Sequence, residues 1–356
     1  MPPGPSVTGK CMNLQVTKKR ILTGVRPTGA LHLGHYVGAL ENWVRLQKEY
    51  DCHFLIADYQ ALGDHLDDIA GIRRSVLEVG MDWLAVGLDP ERSTFVVQSY
   101  VPEHAELAML LSMVTPLGWL ERNPTLKSER ERLEGDPDAK GSRGERVSVG
   151  FFSYPVSQVA DIALPKAHLV PVGEDQVPHI EMTREVVRRF NRMFGETFPE
   201  PQALVGRVAR LTGTDGQSKM SKSIGNVIYL SEDEESVNRK VRGMYTDPTR
   251  LRATDPGHVE GNPVFEYHDA FNDDKAEVED LKERYKAGKV GDVEVKRKLA
   301  AALNRFLSPI RERRAQYESH PERVAEILIE GSRRAKRVAE ATMQEVRDKM
   351  GILYFK

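Results

Sequence analysis

The stretch Lys219-Met220-Ser221-Lys222-Ser223 is the most informative part of this sequence. A glycine-containing segment at residues 212–217 precedes it, and Ile224-Gly225-Asn226 follows it. Two lysines three residues apart, with small hydroxyl residues beside them, suit a loop that closes on a polyphosphate. Lysine supplies a mobile positive charge there, while serine and backbone N–H groups bind phosphate oxygens. Because most Lys/Ser clusters are solvated surface, the meaning of this loop depends on a partner motif.

The partner motif is His32-Leu33-Gly34-His35, which stands where a phosphate site should begin. Before it, Arg20–Val25 has the composition of a β-strand, and residues 26–30 have that of a turn. After it, apolar residues recur at helical spacing. The N-terminus of a helix attracts anions through its free N–H groups and its dipole. His32 and His35 are therefore candidate donors to a nucleotide α-phosphate; the alternative is two ordinary turn histidines.

Together, the two motifs resemble the HIGH and KMSKS signatures of class I aminoacyl-tRNA synthetases. Further segments resemble the tryptophanyl-tRNA synthetase family within that class. These segments are VPVGEDQ at residues 170–176, HIEMTR at residues 179–184, and Tyr154-Pro155 followed by Ala160-Asp161-Ile162. The similarity runs from about Ile21 to the C-terminus.

The resemblance implies that tryptophan reacts with ATP to give tryptophanyl-adenylate and pyrophosphate, and that the acyl group then passes to tRNA(Trp). His32 and His35 would hold the α-phosphate region, and Lys219 and Lys222 the departing pyrophosphate. These four are the expected catalytic residues. Mg²⁺ would enter with ATP and share the leaving charge, with no metal site made by the protein. The expected ATP-binding residues are Arg26, Thr28, Gly34, His35, Gly173, Asp175, Lys219, Met220, Ser221 and Lys222.

By the same resemblance, Asp161 selects the amino acid. An ionised carboxylate only accepts hydrogen bonds and an indole N–H only donates, so a site built around that bond rejects analogues without the donor. Taken alone, an aspartate in an apolar stretch is more often a helix cap or an ion-pair member. The expected tryptophan-binding residues are Leu22, Gly24, Val25, Gln60, Tyr154, Gln158, Asp161, Ile162, Val170, Val172 and Gln176.

The sequence departs in places from the common bacterial pattern of this family. His32 and His35 replace the usual Thr and Asn, which restores the wider class I signature. Gln60 stands where a histidine is usual, Gln158 where a hydrophobic residue is usual, and Arg26 where a glutamine is frequent. Three polar or charged substitutions near one pocket suggest a divergent or auxiliary bacterial form, with altered inhibitor sensitivity or a secondary role.

Composition fits this interpretation but does not produce it. The chain has 356 residues, 40% of them hydrophobic and 29% charged, which is enough for a catalytic domain and a smaller one. A net charge of −2 provides no global basic field, so RNA contacts must use local patches. Two cysteines give no metal-ligand spacing or disulfide framework. No apolar run approaches membrane-spanning length. We therefore expect a cytoplasmic protein without a membrane segment.

The alternation of strands and helices predicts an α/β fold over residues 19–215. This is a Rossmann-type parallel sheet with its ligand site beyond the carboxyl ends of the strands. Four strands are predicted, the last at about residues 168–170. An insertion at about residues 102–165 begins as an apolar helix and continues as a charged stretch from Lys127 to Arg146, expected to be a mobile loop. Lys127 and Arg130 are weaker candidates for γ-phosphate contact.

The rest of the domain organisation follows from composition and from the resemblance. Residues 1–18 are expected to be a disordered tail, and residues 216–230 the KMSKS loop. Residues 231–356 are predicted to be helical, with a locally basic last helix. The resemblance implies that this part binds the tRNA anticodon and that its last helix packs back on the catalytic domain. It also implies that the insertion forms much of a homodimer interface, so we expect a homodimer.

Three other functions stay open at this point. A tyrosine-specific class I synthetase shares the fold, and an aspartate also accepts a hydrogen bond from a phenol. A small nucleotidyltransferase shares the histidine motif but is usually shorter. A divergent paralogue that binds tRNA, tryptophan or a protein partner would serve a regulatory role. The intact phosphate motifs disfavour a complete loss of catalysis.

Overall fold

The computed structural model describes residues 18–135, 147–173, 176–205, 211–222, 224–252 and 254–355. The tail predicted for residues 1–18 lies outside this range except for its last residue. Asp175, expected to bind ATP, also lies outside the described residues, as does the part of the predicted mobile loop at residues 136–146.

Among the described residues, five parallel strands form one sheet in the order β3-β2-β1-β4-β5. The strands are β1 Arg20–Val25, β2 Asp51–Ile56, β3 Thr94–Val97, β4 Leu169–Val172 and β5 Gln202–Val205. Strand β5 was not predicted, because its four residues lie half-exposed at the sheet edge and lack a clear apolar pattern. From β1 the sheet extends to β2 and β3 on one side and to β4 and β5 on the other. The carboxyl ends of β1 and β4 therefore mark the expected ligand site. The α/β, Rossmann-type prediction is confirmed.

Helices cover both faces of the sheet and make up the C-terminal third. They are α1 Leu33–His35, α2 Glu41–Leu46, α3 Asp58–Asp64, α4 Ile69–Val86, α5 Glu103–Val114, α6 Leu117–Glu121, α7 Pro124–Gly135, α8 Val149–Ala163, α9 Val177–Phe194, α10 Glu234–Arg242, α11 Pro263–Phe271, α12 Lys275–Lys286, α13 Asp292–Glu318 and α14 Pro321–Lys349. A π-helical segment, Tyr36–Leu40, joins α1 to α2. No described helix is both long and apolar enough to span a membrane.

The insertion contains more helix than its composition indicated. The stretch from Lys127 was expected to be a loop, but it is helical as far as Gly135, so that prediction is wrong for this part. Asn123 explains the helix start, because its side-chain oxygen accepts hydrogen bonds from the N–H groups of Thr125 (3.0 Å) and Leu126 (3.1 Å). Leu126 is buried and attaches the helix to the core.

Helix α14 covers the edge strand β3. A Cβ atom on Gly331 would lie 2.1 Å from the carbonyl oxygen of Phe95, so only glycine allows this approach. The Ser332 hydroxyl accepts a hydrogen bond from the N–H of Val97 at 3.0 Å. Arg334 donates to the carbonyl oxygen of Pro90 at 2.8 Å. These contacts satisfy backbone groups of the edge that would otherwise be open.

Candidate active site

The histidine motif forms the turn that follows β1. The backbone N–H of His32 donates to Nδ1 of His35 at 3.2 Å, and the two ring centroids are 3.8 Å apart. Burial lowers the pKa of His32 to about 4 and that of His35 to about 3, with the positive charge of Lys222 a smaller cause for both. Both imidazoles are therefore neutral at pH 7, and a neutral imidazole still has one N–H to donate.

The structure brings the two sequence motifs together. The N–H of Gly34 lies 3.2 Å from the sulfur of Met220. A Cβ on Gly34 would meet that sulfur at 3.1 Å and the His32 ring at 3.0 Å, so glycine keeps this contact open. Lys222 Nζ donates to the carbonyl oxygen of Gly29 at 2.9 Å and to that of Thr28 at 3.3 Å. The predicted phosphate residues from both ends of the catalytic region therefore meet at one turn.

The two predicted lysines differ in their surroundings. Lys222 is partly buried, and burial lowers its pKa, while the nearby carboxylate of Asp82 acts in the opposite direction. Lys219 is exposed to solvent. Lys222 therefore binds the turn after β1, whereas Lys219 is available to an incoming anion.

An asparagine that sequence reasoning did not select holds the KMSKS loop. The side-chain oxygen of Asn226 accepts from the N–H of Ser221 at 2.7 Å, and its Nδ2 donates to Asp215 at 3.1 Å. Asn226 is only 4% exposed. The one available signal was its place directly after the motif.

A cavity of about 1190 Å³ opens at the carboxyl ends of β1 and β4. All eleven predicted tryptophan-binding residues line it. They are Leu22, Gly24, Val25, Gln60, Tyr154, Gln158, Asp161, Ile162, Val170, Val172 and Gln176. Of the expected ATP-binding residues, Arg26 and Gly173 also line it. Thr28, Gly34, His35, Lys219, Met220, Ser221 and Lys222 do not line it. The contact between the two motifs joins Gly34 to Met220 and Lys222 to Thr28.

Asp161 lies buried at the cavity wall, and two side-chain amides donate hydrogen bonds to it. Gln60 Nε2 donates to its Oδ2 at 2.7 Å, and Gln98 Nε2 donates to its Oδ1 at 2.7 Å. The ring nitrogen Nδ1 of His104 lies 2.9 Å from the same Oδ1. Gln98 and His104 were missed from the sequence, since they follow β3 and begin α5, far from Asp161 along the chain. Their effect is to fix the orientation of the carboxylate.

Tyr154 is a further polar side chain of the cavity with a buried partner. Its hydroxyl lies 3.2 Å from Nε2 of His179, whose Nδ1 lies 3.3 Å from the amide of Asn123. His179 and Asn123 are both buried. This chain of polar groups links α8, α9 and the start of α7, and it orients the phenol ring at the cavity wall.

The weaker phosphate candidates lie on α7. Lys127 is exposed on α7, and Nε of Arg130 lies 3.4 Å from Oε1 of Glu134 on the same helix. Neither lines the cavity. Among the residues that the structure describes, no group of three or more His, Cys, Asp or Glu side chains is placed to hold a metal ion.

Sequence comparison identifies the family to which this architecture belongs. The family model for tRNA synthetases class I (W and Y) matches residues 15–308. The chain belongs to the class I tRNA synthetases. This class I chain is 51% identical to the tryptophan–tRNA ligase of Treponema pallidum over 335 residues, covering 94% of the chain and 97% of that relative. It is 48% identical to the tryptophan–tRNA ligase of Clostridium longisporum, and the match covers 96% of this chain and 99% of that relative.

A solved structure agrees with these relatives. The tryptophanyl-tRNA synthetase of Campylobacter jejuni, complexed with ADP and tryptophan, superimposes with a TM-score of 0.82 at 34% identity. The match covers 93% of this chain and 99% of that one. The family predicted from the two motifs and from the segments at residues 154–184 is confirmed.

Proposed function

We propose that this class I synthetase is a tryptophan–tRNA ligase, which joins tryptophan to tRNA(Trp) through an adenylate. The meeting of the two motifs carries the catalytic part of the proposal: Gly34 contacts Met220, and Lys222 reaches the carbonyl oxygen of Gly29. The relatives that cover nearly the whole chain are named for tryptophan, which supports the choice of amino acid.

In the first step the tryptophan carboxylate attacks the α-phosphorus of ATP, the new O–P bond forms, and pyrophosphate leaves. The reaction needs positioning and charge stabilisation more than a side-chain nucleophile. The neutral imidazoles of His32 and His35 donate N–H groups to the α-phosphate oxygens. Lys219, which is exposed, closes on the pyrophosphate, and Lys222 keeps the loop against the turn. The acyl group then passes to the terminal adenosine of tRNA.

Selection of tryptophan is assigned to Asp161. Its carboxylate accepts the indole N–H, and the Tyr154 ring packs at the cavity wall. Gln60 already donates to Oδ2 of Asp161 at 2.7 Å, so the indole must share that oxygen or displace the amide. A carboxylate oxygen accepts two hydrogen bonds, so Gln60 can hold Asp161 while the indole N–H binds. A glutamine here changes how the carboxylate is held, which gives the divergent-form hypothesis a physical basis.

Several further assignments belong to the same proposal. Mg²⁺ binds the ATP phosphates and water rather than a protein cage, as is usual for this small ion. The helices from α10 to α14 bind the anticodon arm, with basic residues of α14 on phosphates. The protein acts in the cytoplasm.

A homodimer forms through the insertion. Met109 and Met113 lie one turn apart on α5 and are 61% and 64% exposed, and Leu117 nearby is 61% exposed. Such a cluster of exposed large apolar residues is typical of an interface. The double substitution Met109→Lys/Met113→Lys should shift the sedimentation coefficient to that of a monomer, whereas an unchanged dimer would place the interface elsewhere.

The deciding experiment is amino-acid-dependent pyrophosphate exchange by the full-length protein. Tryptophan, tyrosine and 5-substituted tryptophans are supplied in turn, with and without tRNA. We expect kcat/KM for tryptophan to exceed that for tyrosine by roughly 10⁴, because a buried acceptor built for one donor rejects a misplaced one. Faster exchange with tyrosine would make the chain the tyrosine-specific relative. Absence of exchange with either, while tryptophan still binds, would favour the regulatory paralogue.

A further inference from the structure

A buried aspartate in α4 lies against the histidine motif. Asp82 is fully buried, and its Oδ2 accepts a hydrogen bond from the backbone N–H of Leu31 at 2.7 Å. Leu31 directly precedes His32. Asp82 does not line the amino-acid cavity; its hydrogen bond is to the turn that carries the histidine motif.

The turn is also bound to the segment after the KMSKS loop. The carbonyl oxygen of Leu31 accepts from the N–H of Leu230 at 3.0 Å, and the N–H of Leu33 donates to the carbonyl oxygen of Ile228 at 3.0 Å. Asp82 accepts from the backbone N–H of Leu31, a residue only 2% exposed. Without that acceptor the donor is buried and unpaired, and the turn must shift to satisfy it.

The charge of Asp82 is balanced from the C-terminal helices. Arg314 of α13 is 4% exposed and pairs with both Asp82 and Glu78 of α4. Its Nε also donates to Glu318 at 2.7 Å. A buried carboxylate without such a partner is strongly unfavourable. Arg314 thus permits an ionised acceptor to remain directly behind the histidine motif.

We propose that Asp82 is a positioning residue for adenylate formation: by fixing the Leu31 N–H it places the His32 imidazole for the α-phosphate, and Arg314 balances its charge. The inference rests on the assignment of His32 to ATP made above. A displacement of about 1 Å in a catalytic group can slow a reaction roughly a hundredfold. The hydrogen bond to Asp82 acts on the residue adjacent to that group.

Two matched double variants separate positioning from stability. Asp82→Asn/Arg314→Met removes both charges but keeps a side-chain oxygen for the Leu31 N–H. Asp82→Leu/Arg314→Met removes the same charges and has a side chain of similar size, but offers no acceptor. Tryptophan-dependent pyrophosphate exchange gives kcat and both KM values, and thermal unfolding and tryptophan binding report the folded state.

We expect the asparagine variant to keep kcat within about threefold of wild type, since its acceptor remains. The leucine variant should lose roughly tenfold to a hundredfold in kcat, with the KM for tryptophan unchanged within about twofold, because the cavity is not touched. A purely structural pair predicts equal kcat values in the two variants, and that result would overturn the inference.

A variant that does not fold leaves the test intact. If Asp82→Leu/Arg314→Met is unfolded, Asp82→Ala/Arg314→Met also offers no acceptor and should lose roughly tenfold to a hundredfold in kcat relative to the asparagine variant, at a temperature where both are folded. Equal kcat values in that pair would refute the role of the Leu31 bond. Wild-type protein without tryptophan-dependent exchange overturns the proposed function and this inference together, whereas wild-type exchange with equal variants overturns this inference alone.

Discussion

The proposed amino-acid cavity and the proposed phosphate site differ in what holds their functional groups. In the cavity, Asp161 accepts hydrogen bonds from Gln60 of α3 and from Gln98 in the segment after β3, before any substrate enters. In the phosphate site, Gly34 and Met220, 186 residues apart in sequence, meet through single backbone and side-chain atoms, and Lys219 is exposed.

Selection of an amino acid and stabilisation of a leaving group place different demands on these two sites. Selection between similar amino acids requires an acceptor that does not reorient, because a flexible one would adapt to the wrong donor. Charge stabilisation on a leaving pyrophosphate requires groups that can close on it and release it. Substitutions in the loop should therefore change kcat, and substitutions in the cavity should change the KM for tryptophan.

The largest effect is expected in the proposed phosphate site, from Lys219→Ala. Losing one well-placed donor to developing charge costs about 2.7–4 kcal/mol, so exchange should slow by roughly two to three orders of magnitude in kcat. Because Lys219 is exposed, the free energy of unfolding should change by no more than about 0.5 kcal/mol. Lys289→Ala, at another exposed lysine in the helical region, serves as the matched control and should be silent. Exchange within a few-fold of wild type would remove Lys219 from the mechanism.

The proposed amino-acid cavity is tested by Asp161→Asn. An amide cannot accept from all its present neighbours, since its NH₂ group faces donors, and hydrogen bonds to charged groups contribute about 1.5–3 kcal/mol. The KM for tryptophan should rise roughly tenfold to a hundredfold, while the KM for ATP should stay within about twofold. A fall in kcat at unchanged tryptophan KM would mean that Asp161 acts on the reaction rather than on selection.

The pH dependence of stability probes the burial of the histidine motif. The pKa values of about 4 for His32 and about 3 for His35 lie below the unfolded value of 6.5. Above pH 6.5 both histidines are neutral in the folded and in the unfolded protein, so their contribution to the free energy of unfolding is complete. Between pH 6.5 and about 4 the unfolded state binds the protons first, so each histidine lowers the free energy of unfolding by up to about 1.4 kcal/mol per pH unit.

Replacing His35 by asparagine should remove one such contribution. Chemical unfolding of wild type and His35→Asn at pH 7, 6 and 5 should give curves that converge as the pH falls, since only wild type loses stability through this group. Parallel curves would show that His35 is not buried as a neutral imidazole. A protonated histidine motif would offer a positive charge, rather than a neutral N–H donor, to the phosphate.

Sequence patterns predicted the parallel sheet and the residues of the cavity better than they predicted what supports them. Motif residues such as His32 and Lys222 carry their chemistry in local spacing, so their meeting was expected. Gln98, His104 and Asn226 act through contacts between separate elements, which no local pattern contains. The helix at Pro124–Gly135 was missed because the charged composition of this segment resembles a loop, while Asn123 and buried Leu126 determine its structure.

The smallest expected effect lies in the second fixed group of the cavity. The Tyr154 hydroxyl and His179 Nε2 are 3.2 Å apart, and a neutral hydrogen bond contributes about 1 kcal/mol. A double-mutant cycle of Tyr154→Phe and His179→Phe should give a coupling near that value in tryptophan binding, seen as roughly a fivefold non-additivity in KM. Full additivity would mean that the hydrogen bond between the phenol and His179 does not contribute to tryptophan binding.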